Sequence, residues 1–186
     1  PRLSLKGKAQ KLAEIMDVDF ENFLSPEEIK KHVDLKEEGY RFVRIIERDN
    51  GEKTFLRIFD DSRKFPLENE ISTAMKRLAV RAPRIGFSRG HGERNSRKPG
   101  DREYLTFAKE PRFRHSLINK GFDLCEVEIS EGIPETVDIL VIADPQSDFN
   151  TNEIQNISDY IDAGKNLILI GEPENRDIIQ PLFDLI

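Results

Sequence analysis

From Val137 to Pro173 the chain carries the pattern of a strand, a helix and a second strand. Val137-Asp138-Ile139-Leu140-Val141-Ile142-Ala143 is a nearly unbroken apolar run. Such a run is what a strand covered on both faces of a parallel sheet looks like. Asp144-Pro145 ends it sharply. Asn150 and Glu153 stand three apart, as in a helix-capping box, ahead of Ile154, Ile157, Tyr160 and Ile161 at helical spacing. Gly164 stops the helix. Asn166–Ile170 reads as the next buried strand, and Gly171-Glu172-Pro173 leaves it. Loops at the carboxyl ends of parallel strands build the sites in folds of this kind. Function is therefore to be sought around Asp144 and Glu172.

The same reading extends in both directions. Arg84–Ser88 is a first strand, and a Gly- and Arg-rich loop follows from Arg89 to Arg102. Residues 112–120 read as a helix with Phe113, Leu117 and Ile118 inward and Gly121 at its end. Strand two spans about 122–129, strand three 137–143 and strand four 166–170, giving a parallel sheet with helices on its faces. Upstream, residues 3–16 carry an amphipathic pattern with Leu3, Leu12, Ile15 and Met16 apolar, weakened by Gly7. Ser25-Pro26-Glu27-Glu28 is a helix start with cap, early proline and closing glutamate. Residues 40–48 and 54–59 are β-rich, and Asp49-Asn50-Gly51 between them signals a hairpin. Asp60-Asp61-Ser62 reads as a loop, and residues 67–80 as a helix through Ile71, Met75 and Leu78. Ala82-Pro83 marks the expected border between an amino-terminal part, 1–82, and an α/β module, 83–186.

Charge is spread unevenly. The chain nets −6 overall. Residues 81–120 hold 11 basic and 4 acidic residues, while 121–186 hold 2 basic and 15 acidic. The simplest expectation is that these two segments face each other and attract, or sit on opposite ends of one surface. A nucleic-acid surface is not expected: the basic residues are confined to one stretch, aromatics are not interleaved and the total is acidic. With 37% hydrophobic and 34% charged residues, the composition is that of a folded domain with a busy surface. No apolar run reaches the roughly 20 residues of a membrane span. The chain opens on Pro1-Arg2 and closes on Ile186, as expected of a piece of something longer. Cys125 is the one cysteine, which excludes an internal disulfide or a multi-cysteine zinc site. It sits in an apparent strand, where a small core residue is expected rather than a reactive thiol.

The loop Arg89-Gly90-His91-Gly92-Glu93-Arg94 carries the most chemistry. Its glycines admit backbone geometries closed to other residues and let a ligand approach the main chain. His91 can serve as base, metal ligand or hydrogen-bond donor, and Arg89, Arg94, Arg97 and Arg102 can grip a carboxylate or phosphate. The pattern is neither Gly-x-Gly-x-x-Gly nor a P-loop. Three readings stay open: a structural loop with His91 bonded to a carboxylate such as Asp144, nucleotide binding, or contact with a small ligand or partner. His91, Glu93, Asp144 and Glu172 all leave strand ends and could converge on a divalent ion, but no tight ligand spacing supports a metal. Ser88 lacks the Gly-x-Ser-x-Gly elbow of a serine hydrolase. The candidate binding residues are therefore Arg89, His91, Glu93, Arg94, Asp144 and Glu172, with no catalytic set, cofactor or metal expected.

Five stretches together resemble the gliding-motility-type ABC transporter auxiliary proteins: Ser88–Arg94, Gly100-Asp101-Arg102, Leu117–Asp123, Ile139–Pro145 and Tyr160–Ile168. The likeness covers roughly residues 80–175. Asn22–Ser25 and Phe55–Asp61 resemble the flanking part of fused permease versions. The resemblance implies an extracytoplasmic (periplasmic) domain tied to the permease subunits of an ABC-2-type transporter, and a sheet similar to class I glutamine amidotransferases. Where an amidotransferase places its nucleophilic cysteine on a strand-to-helix turn, this chain has none, which argues against that chemistry. The expected protein is thus α/β. Its flavodoxin-like parallel sheet is preceded by a smaller α+β part containing a hairpin within 40–59. The expected role is non-catalytic binding or assembly in membrane transport. The alternative is a hydrolase-like enzyme using His91 with Asp144 or Glu172.

Overall fold

The computed structural model describes residues 2–36, 38–59 and 65–186. The expected loop at Asp60-Asp61-Ser62 lies outside the described residues. The chain divides into two compact units, Pro1–Arg41 and Phe42–Ile186.

In the first unit, α1 spans Leu5–Met16. Ser4 caps it by accepting from the Gly7 N–H at 3.1 Å, and Asp17 ends it in the left-handed region. Its packing is the reverse of the usual one. Ala13 is buried, whereas Leu12, Ile15 and Met16 face solvent. α2 spans Pro26–His32. Its capping box forms as expected: the Ser25 N–H donates to Glu28 at 2.8 Å, and the Glu28 N–H to Ser25 Oγ at 3.3 Å.

The second unit opens with an antiparallel hairpin, β1 (Arg44–Glu47) and β2 (Lys53–Leu56). Gly51 occupies the turn with φ 85°, a conformation that glycine adopts without steric cost. α3 (Glu68–Ala79) follows. Ala82-Pro83 is loop, but the hairpin and α3 belong to the same compact unit as the parallel sheet. Ion pairs join them to it. Buried Glu70 of α3 pairs with Arg114, and Arg77 reaches Asp123 at 2.6 Å. Arg57 Nη1 donates to Asn119 at 3.1 Å.

Four parallel strands form the main sheet: β3 (Arg84–Arg89), β4 (Asp123–Glu128), β5 (Ile139–Ala143) and β6 (Asn166–Ile170). Their order is β4-β3-β5-β6, the first four positions of a flavodoxin-like arrangement. β5 is central, and alternate residues feed two cores. Leu140 and Ile142 pack with Val127, Val137 and Ile157 on one face. Val141 and Ala143 pack with Ile85, Phe87 and Ala108 on the other. α5 (Thr151–Asp162) covers the first face through Ile157 and Tyr160, joined by Leu182 of α6 (Arg176–Phe183).

Two expectations need correction. Residues 112–120 do not form an α-helix. A four-residue helix, α4 (Leu105–Ala108), and a 3-10 turn at Leu117–Lys120 occupy this crossover. The Asn119 amide donates to the carbonyls of Pro111 at 3.2 Å and Phe113 at 2.8 Å, offering the chain an alternative to the helical ladder. Nor is Asn166–Ile170 buried on both faces. β6 is an edge strand whose Leu167 and Leu169 reach the core while Ile168 and Ile170 stay exposed. Cys125 is half-buried at the margin of the first core. Burial pushes its thiol pKa up, against a smaller opposite pull from Arg84.

Candidate functional site at the carboxyl edge of the sheet

β3 and β5 are neighbours, but the chain leaves β3 toward β4 on one side and β5 toward β6 on the other. The connections diverge here, so a crevice at their carboxyl ends is the expected ligand position in an open parallel sheet. The loops after these two strands are laced together there. The Arg94 N–H donates to the Ala143 carbonyl at 2.9 Å, and the Gln146 N–H to the His91 carbonyl at 2.6 Å. Gly90 and Gly92 bend the first loop with φ 119° and 74°.

Asp144 is the hub. It is 3% exposed and adopts φ 55°, a region that few residues other than glycine enter, Asp among them. Its N–H donates to the Ile170 carbonyl at 2.7 Å, carrying the β5–β6 ladder one residue further. Asp144 Oδ1 accepts from the Asn175 amide at 3.0 Å and the Glu172 N–H at 3.4 Å. Oδ2 lies 3.2 Å from Arg102 Nη2 and 3.5 Å from Arg94 Nε. Burial by itself raises the carboxyl pKa. The Asn175 and Glu172 hydrogen bonds and the two guanidinium groups together outweigh it and bring the group below its ordinary value. Arg94 also pairs with Glu172 and lies over the Tyr104 ring at 5.9 Å.

His91 belongs to a second cluster. Its partner is not Asp144, as expected, but Glu153 of α5: Nε2 lies 3.1 Å from Oε1. Nδ1 lies 3.2 Å from the Ser147 hydroxyl, and the ring packs on Phe149 at 4.1 Å between centroids. The reason is topological. The chain turns at Asp144 and Pro145, sending Asp144 back toward β6 while the following residues run across His91. Glu153 serves twice, because its other oxygen accepts from the Asn150 N–H at 2.8 Å to close the capping box of α5. Each ring nitrogen of His91 thus has one partner, Glu153 at Nε2 and the exposed Ser147 hydroxyl at Nδ1. Glu93 is tied to this cluster through its carboxylate, which accepts from the His91 N–H at 2.7 Å.

The six sequence-derived candidates therefore separate. Arg94, Asp144 and Glu172 meet in one cluster, and His91 and Glu93 in another. Arg89 turns aside to Glu128 at 3.3 Å. Sequence reasoning missed Ser147 and Asn175, which no spacing marks. Glu153 was visible only as a cap.

Charge is largely matched within the module. Arg81, Arg89, Arg94, Arg97 and Arg102 all pair with carboxylates of the acidic segment, the first of the two arrangements the charge asymmetry allows. Yet buried polar atoms without a hydrogen-bond partner concentrate here: Ser88 Oγ, Glu93 Oε1 and Arg94 Nε, with Arg44 Nη1 elsewhere. Among the described residues no group of three or more His, Cys, Asp or Glu side chains is placed to hold a metal. No helix among them is long and apolar enough to cross a membrane.

Residues 82–181, just over half of the chain, match the model of a protein family described as an ABC-type uncharacterized transport system. No curated protein and no solved structure matches the chain.

Proposed function

Because the chain belongs to the auxiliary family of ABC-type uncharacterized transport systems, we propose that it is a non-catalytic, extracytoplasmic binding or assembly module of an ABC-2-type exporter of the gliding-motility type. It engages the permease subunits, or a small ligand they share, through the carboxyl edge of its sheet. The observation that supports this reading is the pair of buried polar atoms without a partner at the β3 end, Ser88 Oγ and Glu93 Oε1. Native structures leave few such atoms, and those they leave call for an explanation such as a bound water, ion or ligand group. Around them stand side chains that reach outward: Arg89, Arg97 and Arg102 keep 57%, 59% and 71% of their side-chain surface exposed.

The test is co-purification of the tagged protein with co-expressed transporter subunits from solubilised membranes. Arg89→Gln and Arg97→Gln keep the melting temperature near the parent value, because both guanidinium groups are largely exposed and such pairs contribute little to stability. Recovery of the permease falls roughly tenfold or more. Undiminished recovery with both variants refutes docking through this edge. Placement outside the cytoplasm is checked separately, by labelling a cysteine introduced at exposed Glu174 with a membrane-impermeant maleimide in intact cells.

A second reading, hydrolysis of an ester or amide, is favoured by the Ser147–His91–Glu153 alignment. A hydroxyl, an imidazole and a carboxylate in hydrogen-bonded series are the parts of an activated nucleophile. Turnover of a nitrophenyl ester by the purified protein, abolished by Ser147→Ala and by His91→Ala, would establish it against the non-catalytic reading. If His91→Ala instead lowers stability by about 1–3 kcal/mol and no turnover is seen, the cluster is a loop fastening.

A further inference from the structure

α1 inverts the usual burial of a helix. Its small residue Ala13 is buried at 2% exposure, and Ala9 is half-buried. Its large apolar residues point outward: Leu5 is 83% exposed, Leu12 48%, Ile15 73% and Met16 59%. A helix selected only to complete its own unit would bury the large side chains, since burial stabilises in proportion to apolar area. At 3.6 residues per turn, Leu5, Leu12 and Met16 fall on one line and Ile15 beside it. Together they make one apolar face of the helix, with exposed Lys8 set within it.

The charges are ordered about this stripe. Residues 2–13 contain Arg2, Lys6, Lys8 and Lys11 and no acidic residue, and all four are exposed. On the helical wheel Lys8 falls between Ile15 and Leu12 and Lys11 just past Ile15, while Lys6 lies beyond the buried face of Ala9 and Ala13. Glu14 is the helix's acidic residue and falls on the opposite side. Basic side chains beside an apolar stripe suit a surface that is apolar below and anionic above, because the long lysine stems bury along it while the ammonium groups reach outward.

We infer that α1 lies in the interface of a membrane containing anionic lipid, with Leu5, Leu12, Ile15 and Met16 inserted and its lysines among the headgroups. The contribution of each part is distinct. The apolar stripe supplies partitioning, and the cations supply preference for anionic headgroups and sensitivity to salt. The inference stands apart from the carboxyl-edge site and does not require it.

Flotation of the 186-residue chain with lipid vesicles tests this. One set is phosphatidylcholine alone and the other phosphatidylcholine with phosphatidylglycerol. The chain is expected to float with the mixed vesicles, to float poorly with the neutral ones, and to lose binding as salt is raised. Leu12→Ser combined with Ile15→Ser should reduce binding roughly tenfold and leave the thermal melt unchanged, because both side chains are solvent-exposed. Lys6→Gln with Lys8→Gln and Lys11→Gln should remove the preference for anionic vesicles. Absence of flotation, or equal flotation of the serine variant and the parent, overturns the inference. So does a concentration-dependent dimer in sedimentation that the same serine variant dissolves, because the stripe would then belong to a second copy of the chain.

Discussion

Asp138 and Asp144 bracket β5 and show how one residue type is turned to two ends. Asp138 precedes the strand. It accepts from Arg81 at 2.7 Å and from the Arg84 N–H at 2.8 Å, fastening β3 to β5 at their amino ends. The Arg81 hydrogen bond first, and the Arg84 N–H second, hold its carboxyl down to about 2 from an ordinary 3.8. The folded pKa lies below the unfolded one. The ionised group therefore contributes stability that is fully present above the unfolded value and is lost as pH falls through the folded one. Urea unfolding of the parent and of Asp138→Asn should show a gap in midpoint at neutral pH that closes as the pH is lowered toward about 2. A gap that does not change with pH would count against this. Asp144, at the other end, is buried among guanidinium groups and amides and marks the candidate site. Asp144 was visible as the residue that ends the apolar run, and Asp138 only as the one polar residue within it. Their partners were not, because Arg81, Arg94 and Arg102 lie 42 or more residues along the chain from the aspartate each one meets, and spacing carries no information about such pairs.

At the scale of elements, close approach decides what the strands tolerate. Gly86 in β3 faces the first core, where an added Cβ would meet Val127 Cγ2 at 2.6 Å and Val137 Cγ1 at 3.0 Å. Gly86→Ala is expected to destabilise by about 1–3 kcal/mol through overpacking, read as a lowered melting temperature. An unchanged or raised value would show that Val127 and Val137 can move aside. Leu140, with no exposed surface in the same core, should cost about 2–5 kcal/mol when cut to alanine, measured by chemical denaturation. A loss well under 1 kcal/mol would mean the central strand is not packed as described. The strands, the hairpin and α5 were legible because local pattern and tertiary environment agree over them. Residues 112–120 were misread because the apolar spacing of Phe113, Leu117 and Ile118 is helical while Asn119 withdraws carbonyls from the ladder. Exposure of Ile168 and Ile170 was illegible, since an edge strand and a central one can carry the same apolar run.

For the whole molecule, the charge asymmetry between residues 81–120 and 121–186 becomes an internal adhesive, and the hairpin with α3 takes part in it. Trypsin should cut early after Arg41 and leave Phe42–Ile186 as a resistant fragment, identified by mass. A shorter fragment from Pro83 loses Arg77 and Glu70, the partners of Asp123 and of buried Arg114. Leaving one partner of a buried pair alone costs about 3–5 kcal/mol. This fragment should therefore unfold at distinctly lower denaturant than the 42–186 fragment. Equal midpoints would show instead that the segment from residue 83 onward is a self-sufficient domain, as the loop at Ala82-Pro83 first implies.

Periodicity, capping residues and turn chemistry act over a few residues, so the α/β class, the parallel strands and the 49–51 turn follow from the sequence alone. The likeness to ABC transporter auxiliary proteins was equally legible, because ordered motifs survive without any coordinates. Tertiary structure decided the rest. It chose Glu153 over Asp144 for His91, joined Arg94 to Asp144 and Glu172, and turned Arg89 away. It also left the large apolar side chains of α1 facing solvent. Each of these depends on which distant segments meet. That is set by the packing of whole faces and by the direction in which β5 turns at Asp144, neither of which is written in the neighbours of any one residue.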